Sequence, residues 1–210
     1  VPNTVIRIGF HNGQISASAG CNTFGGGYRL DGDRLTVDGG AMTEMGCDQP
    51  RHVQDDWLFG FLGADPQLAI DGDNLVLTSA DGTTKITLLD REVAEPDQPL
   101  TGRTWTLSSI ITGETVSSVP AGIVANIEFM DDGSVMLNPG CNSAGGRYAV
   151  DGDSITFTDL ATTDMACMGA AGQVEAAVLS VLNGQSVTFS IDAGTLTLMA
   201  GDLGLQFTAS

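Results

Sequence analysis

Cations are scarce in this chain. Lys and Arg together number 8 of 210 residues, against 26 Asp and Glu, for a formal net charge of −18. Binding a phosphate backbone requires clustered cations that displace condensed counterions, and no basic stripe is present, so nucleic acid is excluded as a partner. The same deficit argues against electrostatic docking on an anionic membrane surface. Apolar runs are also short. None approaches the roughly 18 to 20 residues needed to cross a bilayer, so no transmembrane segment is expected. An acidic surface of this kind favours solubility and, through self-repulsion, a monomer.

Catalytic chemistry is equally thinly supplied. The two histidines, His11 and His52, both lie in the first half. Neither sits beside a serine or cysteine nucleophile in a recognisable local motif, and both read as surface or capping positions. Carboxylates are too numerous for any pair to stand out as a general acid and base. No catalytic residue, cofactor site or metal site is assigned. No signal peptide is present, yet the chain opens on Val1 rather than Met, which leads to the expectation that upstream sequence has been removed.

The chain does have a repeat. "GCNTFGGGYRLDGD" (Gly20 to Asp33) and "GCNSAGGRYAVDGD" (Gly140 to Asp153) are nearly the same stretch written twice. The likeness continues through "AMTEMGC" (Ala41 to Cys47) and "TTDMAC" (Thr162 to Cys167). After each second cysteine the apolar spacing is helical: Val53, Trp57, Leu58, Phe61 and Leu62 in one copy, Val174, Val178, Val181 and Leu182 in the other. These side chains are expected on the buried helix face, with core packing for Trp57 and Phe61. Each copy then ends in alternating segments broken by Asp-Gly or Ala-Gly, the pattern of β-hairpins. "DREVAEPDQPL" (Asp90 to Leu100) reads as the linker.

Two similar domains are therefore expected, over 1–91 and 99–210. The fold class is α+β and mainly β, each domain an antiparallel sheet or partial barrel with one covering helix. The copies differ where they begin. The second starts with "LTGRTWTLSSI" (Leu100 to Ile110), and no counterpart of Leu100 to Leu107 precedes "VIRIGF" in the first. That counterpart is expected to have existed upstream; without it the first domain would carry an unpaired strand edge.

Four cysteines in two equally spaced pairs, Cys21 with Cys47 and Cys141 with Cys167, suggest one disulfide per domain, because a duplicated unit should bring its own bridge. Pairings that link the domains are the alternative. Zinc is the competing chemistry, disfavoured by the lack of Cys-x-x-Cys and of histidine near Cys141 or Cys167. Disulfides imply an oxidising compartment. Gly20 and Gly140 supply backbone freedom, Asn22 and Asn142 hold a bend, and Tyr28 and Tyr148 resume a strand. A phosphate loop would need a helix after its glycines, whereas strand and turn follow here. The Asp-Gly-Asp elements at 31–33, 71–73 and 151–153 read as hairpin turns, with calcium as the weaker alternative.

Together, Leu100, Gly102 and Trp105, then Gly140, Cys141, Asn142, Gly146 and Tyr148, then Thr163, Met165 and Cys167, then a helix containing Glu175, resemble the META domain family (HslJ-like). The resemblance covers the second half and, without the opening strand, the first. Gly46 stands where Ala166 does, and Asp55 where Glu175 does. The resemblance implies an antiparallel sheet or partial barrel packed with a helix, in a periplasmic, outer-membrane-anchored or secreted bacterial protein linked to stress. It implies no established activity, cofactor or catalytic residue. The function expected is a noncatalytic module binding protein or cell-envelope material. A small-molecule or lipid carrier with a cavity under the helix is the alternative, and an enzyme the weakest reading.

Overall fold

A computed structural model describes residues 1–183 and 186–210. Contacts divide it into two units, Val1–Ala94 and Glu95–Ser210.

The first unit is an antiparallel meander, β1 (Arg7–His11), β2 (Gln14–Ser18), β3 (Thr23–Asp31) and β4 (Arg34–Met42), then helix α1 (Gln49–Leu62), then β5 (Gln67–Asp71), β6 (Asn74–Thr78) and β7 (Lys85–Leu89). Its strands lie in the order β1 to β7, with β1 and β7 at the two edges. A four-residue helix, α2 (Arg91–Ala94), lies within the segment read as linker.

The second unit begins with β8 (Thr104–Thr112) and β9 (Thr115–Ser118). It repeats the meander as β10 (Asn126–Phe129), β11 (Ser134–Asn138), β12 (Ala144–Asp151), β13 (Ser154–Thr162), α3 (Gly169–Leu182), β14 (Ser186–Asp192), β15 (Thr195–Ala200) and β16 (Leu203–Ala209). Here β8 pairs antiparallel with both β16 and β10, which closes an eight-stranded barrel, while β9 extends the β8 edge. The protein is thus mainly β, with two sheets and few helices. One sheet is closed and the other open.

Turn chemistry sets the register. Asp31 pairs with Arg34, Asp71 with Asn74 and Asp151 with Ser154. Each two-residue loop places a glycine (Gly32, Gly72, Gly152) first, at a positive φ of 63°, 58° and 58°. That is where the mirror-image hairpin turn requires glycine, and it gives each Asp-Gly-Asp element a structural use. The glycine-rich runs produce bulges between Gly25 and Gly27 and between Gly145 and Arg147. At Gly26 a Cβ would lie 2.9 Å from the carbonyl oxygen of Gly39, and at Gly146 2.8 Å from that of Thr158, so only glycine fits the curved strand.

The barrel interior is filled by Trp105, Phe129, Phe157 and Phe207, each 1% exposed or less, capped by Val174, Val178, Val181 and Leu182 from α3. The first unit packs Ile15, Ala17, Leu35, Leu77 and Ile86 under Leu58 and Leu62 of α1.

The α1 face differs from the sequence expectation. Val53 is 59% exposed and Trp57 45%, while Asp55 is buried at 1%. Trp57 stacks on Phe61 at a centroid distance of 6.1 Å on the outer side. The helix is turned so that a carboxylate, rather than an indole, faces inward.

Candidate functional site

The inward carboxylate belongs to a polar node that occurs once in each unit. Asn22 is 3% exposed and Asn142 4%. In the first unit the backbone N–H of Asn22 donates to Asp55 Oδ2 at 2.8 Å, and its side-chain amide donates to the same oxygen at 3.2 Å. Its carbonyl oxygen Oδ1 accepts from the Met45 N–H at 2.9 Å and from the Thr43 hydroxyl at 3.2 Å. In the second unit the backbone N–H of Asn142 donates to Glu175 Oε2 at 2.6 Å and its amide to Oε1 at 2.9 Å. Asn142 Oδ1 accepts from the Met165 N–H and the Thr163 hydroxyl, both at 2.8 Å. One asparagine thereby joins a strand end, the loop before the second cysteine and the helix through its backbone N–H, its side-chain amide and its side-chain oxygen.

The disulfides flank these nodes. Cys21 bonds Cys47 and Cys141 bonds Cys167, each within its own unit, and no cysteine is free. Gly20 (φ 135°) and Gly140 (φ 129°) make the turn into the bonded cysteines. A Cβ on Gly20 would lie 2.5 Å from Thr4 Cγ2, and one on Gly140 3.2 Å from Val174 Cγ1. The positive φ and the tight contact both demand glycine.

Tyr28 packs edge-on against Phe10 at 5.0 Å, and Tyr148 against Phe129 at 4.9 Å. The Tyr148 hydroxyl donates to the Met130 carbonyl at 2.9 Å, and burial, then the charges of Asp131 and Asp132, raise its pKa above the usual phenol value. Trp105 is fully buried, and its indole N–H donates to the Leu100 carbonyl at 2.8 Å. The residues singled out in the sequence thus fall into two places. The Gly-Cys-Asn residues form the node, while Tyr28, Tyr148 and Trp105 pack the sheet interior.

Glu175, with Asp55 in its place in the first copy, entered the sequence reading only through the family resemblance, with no hydrogen-bond partner assigned. Each lies eight positions beyond the second cysteine of its copy. An acidic residue recurring at that offset on a face otherwise apolar was the available signal.

His52, on the first turn of α1, approaches the Asn22 amide with Nδ1 at 3.4 Å and is half-buried, not on the open surface. Cys21, His52 and Asp55 offer ligand atoms within 4.8 Å of one another, as do Cys141, Cys167 and Glu175. Yet the sulfurs are bonded in cystines, and both carboxylate groups already accept N–H donors. The donor set is therefore committed to structure. His11 lies at the exposed β1–β2 turn beside Asn12. Two turn carboxylates have lowered pKa values. The Ser79 hydroxyl and Thr83 hold Asp81 at about 2, and Ser134 holds Asp132 below its ordinary value. Both are exposed turn residues with local partners.

No described helix is long and apolar enough to cross a membrane. A cleft of ≈ 210 Å³ is lined by Gly102, Arg103, Thr104, Glu128, Phe129 and Met130.

The profile of the META domain matches residues 2–92 and again 98–209. Among solved structures, an NMR structure of a protein from Burkholderia xenovorans is 27% identical, covering 53% of this chain and 83% of its own, with a TM-score of 0.46. A DUF4847 family protein from Bacteroides vulgatus is 14% identical over 52% of this chain and 93% of its own, with a TM-score of 0.39. A search of curated proteins found no match. With both halves matched, the chain belongs to the META domain family and carries two tandem copies of the domain.

Proposed function

We propose that this protein is a noncatalytic, stress-related module of the bacterial envelope or its exterior, in which two META units, over 1–91 and 99–210, bind protein or cell-envelope material. One observation carries the reading. The polar residues that recur in both copies, Asn22 with Asp55 and Asn142 with Glu175, bond to one another and to loop backbone, so the repeated chemistry maintains a scaffold. A scaffold acts through its surface, and this surface is strongly acidic. META is not a known catalytic family, which agrees with this use. The two disulfides support an oxidising compartment, hence a periplasmic, outer-membrane-anchored or secreted location, and the self-repulsion of the acidic surface favours a monomer.

The test is binding of the immobilised oxidised chain to fractionated bacterial envelope, both protein and lipid. Saturable retention by a fraction is expected. Retention no greater than that of an unrelated acidic protein would contradict the proposal.

A further inference from the structure

The node of the first unit holds a side chain that its counterpart lacks. His52 stands five positions beyond Cys47, and Gly172 five beyond Cys167. A Cβ on Gly172 would lie 2.7 Å from the Cys167 carbonyl oxygen, so the second copy has no room for a side chain there. In the first copy the imidazole is half-buried, and its Nδ1 lies 3.4 Å from the Asn22 amide nitrogen. That nitrogen can only donate, and its place is fixed because Asn22 Oδ1 accepts from the Met45 N–H. Nδ1 therefore presents a lone pair to the node, the form of histidine that a metal takes. In the second copy the Asn142 amide meets the Cys167 sulfur at 3.1 Å instead.

Three further donors stand beside it. Ligand atoms of Cys21, His52 and Asp55 lie within 4.8 Å of one another. Cys47 is joined to Cys21 with 6.2 Å between the two Cα atoms, and it belongs to the segment 43–48, which has no regular secondary structure. Two thiolates on one tetrahedral zinc, each at about 2.3 Å, stand about 4 Å apart, a spacing these backbones allow once the bond opens and Cys47 turns. Asp55 Oδ2 is held by the Asn22 N–H at 2.8 Å, whereas Oδ1 accepts a long bond from the Cys21 N–H at 3.4 Å. The Asn22 amide keeps Asp55 Oδ2 at 3.2 Å when Nδ1 turns to an ion, so it serves as the outer-shell partner that orients the carboxylate. Two sulfurs, an imidazole and a carboxylate make a complete set for zinc. The second unit offers Cys141, Cys167 and Glu175, without an imidazole.

We propose that the first-unit node is a redox-gated zinc site: when a dithiol opens the Cys21–Cys47 bridge, Cys21 Sγ, Cys47 Sγ, His52 Nδ1 and Asp55 Oδ1 bind one Zn2+. The dithiol gives two electrons and two protons to the cystine and becomes a disulfide itself. Zinc then displaces the two thiol protons, which pass to solvent. Cys21 and Cys47 are both partly exposed, so a dithiol has access to the bridge. In the oxidised chain the two sulfurs are spent on each other and the set is incomplete. Zinc thus restores, between the same two cysteines, the link that reduction removes.

The full chain, treated with dithiothreitol and desalted without air, is titrated with Co2+ as an optical substitute for Zn2+. One equivalent should bind with thiolate-to-cobalt charge-transfer absorption that added Zn2+ abolishes, and the untreated chain should show none. A chain with Cys141→Ala and Cys167→Ala should keep that equivalent, while one with Cys21→Ala and Cys47→Ala should lose it. His52→Ala should weaken Zn2+ binding at least about a hundredfold, the upper end for losing even an outer-shell partner. Far-UV circular dichroism of each reduced chain shows whether the ion meets a folded unit, and any structure lost from the first unit on reduction should return with Zn2+. Three results would overturn the proposal: no charge-transfer band, a band that depends on Cys141 and Cys167 instead, or unchanged affinity in His52→Ala. So would a reduced chain that unfolds and is not restored by Zn2+.

Discussion

Glu175 grips Asn142 with both carboxylate oxygens, Oε2 on the backbone N–H at 2.6 Å and Oε1 on the side-chain amide at 2.9 Å. Asp55 makes the corresponding bonds to Asn22 from a side chain one methylene shorter and more deeply buried, at 1% exposure. A helix residue thus holds the cystine-bearing strand end in each unit, which makes the node the fold's main polar fastening.

Asn142→Ala is expected to destabilise the second unit by about 3 kcal/mol, because it removes the amide bonded to Glu175 Oε1 and leaves the Met165 N–H without its acceptor, while the backbone N–H of residue 142 keeps Oε2. Glu175→Gln should cost about 1 to 3 kcal/mol, since one amide NH2 would face donors. Denaturant midpoints of the two variants, compared with Asp55→Asn in the first unit, check this. A neutral Asn142→Ala would show that the node carries no stability.

Removing the Cys21–Cys47 bridge by a double Cys→Ala substitution should cost the first unit about 3 to 4 kcal/mol in the chain-entropy account of a loop closed over 26 residues. The transition of the second unit should stay where it was. Two-step thermal unfolding, with and without reductant, distinguishes the units.

Trp105 and Trp57 should respond oppositely to truncation. Trp105→Ala empties the middle of the barrel and orphans the Leu100 carbonyl, so a loss of about 3 to 5 kcal/mol is expected. Trp57→Ala removes a half-exposed ring stacked on Phe61 and should cost no more than about 1 kcal/mol. Because the chain has only these two tryptophans, the fluorescence of each variant reports the other residue alone. Blue-shifted emission from Trp57 in the Trp105→Ala protein would contradict the outward α1 face.

Acid should reach the β6–β7 turn only below the ordinary carboxylate range. Asp81, exposed and bonded to Ser79 and Thr83, has its pKa lowered from 3.8 to about 2. A lowered folded-state value means its stabilisation is present in full above the unfolded value and fades as pH falls from 3.8 towards about 2. NMR of the carboxyl carbon should give a midpoint near 2, and Ser79→Ala should move it upward. An Asp81 titrating at the ordinary 3.8 would remove the claim.

Much of this architecture can be read from the chain, because a repeat writes the meander and its helix twice. The α3 face of Val174, Val178, Val181 and Leu182 follows directly from its spacing. The α1 face does not, because apolar residues also stand on its outer side: Val53 and Trp57 are exposed, while Asp55, in the place of Glu175, is buried. Asn22 and Asn142 are visible as a motif, but their partners come from a helix over 30 residues away in sequence, and no local pattern shows which carboxylate they meet.

Peptide mapping of the unreduced protein by mass spectrometry is the most direct check that the chain is a tandem of self-contained, cystine-locked units. The expected result is two cross-linked fragment pairs, Cys21 with Cys47 and Cys141 with Cys167. Any fragment joining Cys21 or Cys47 to Cys141 or Cys167 would contradict it.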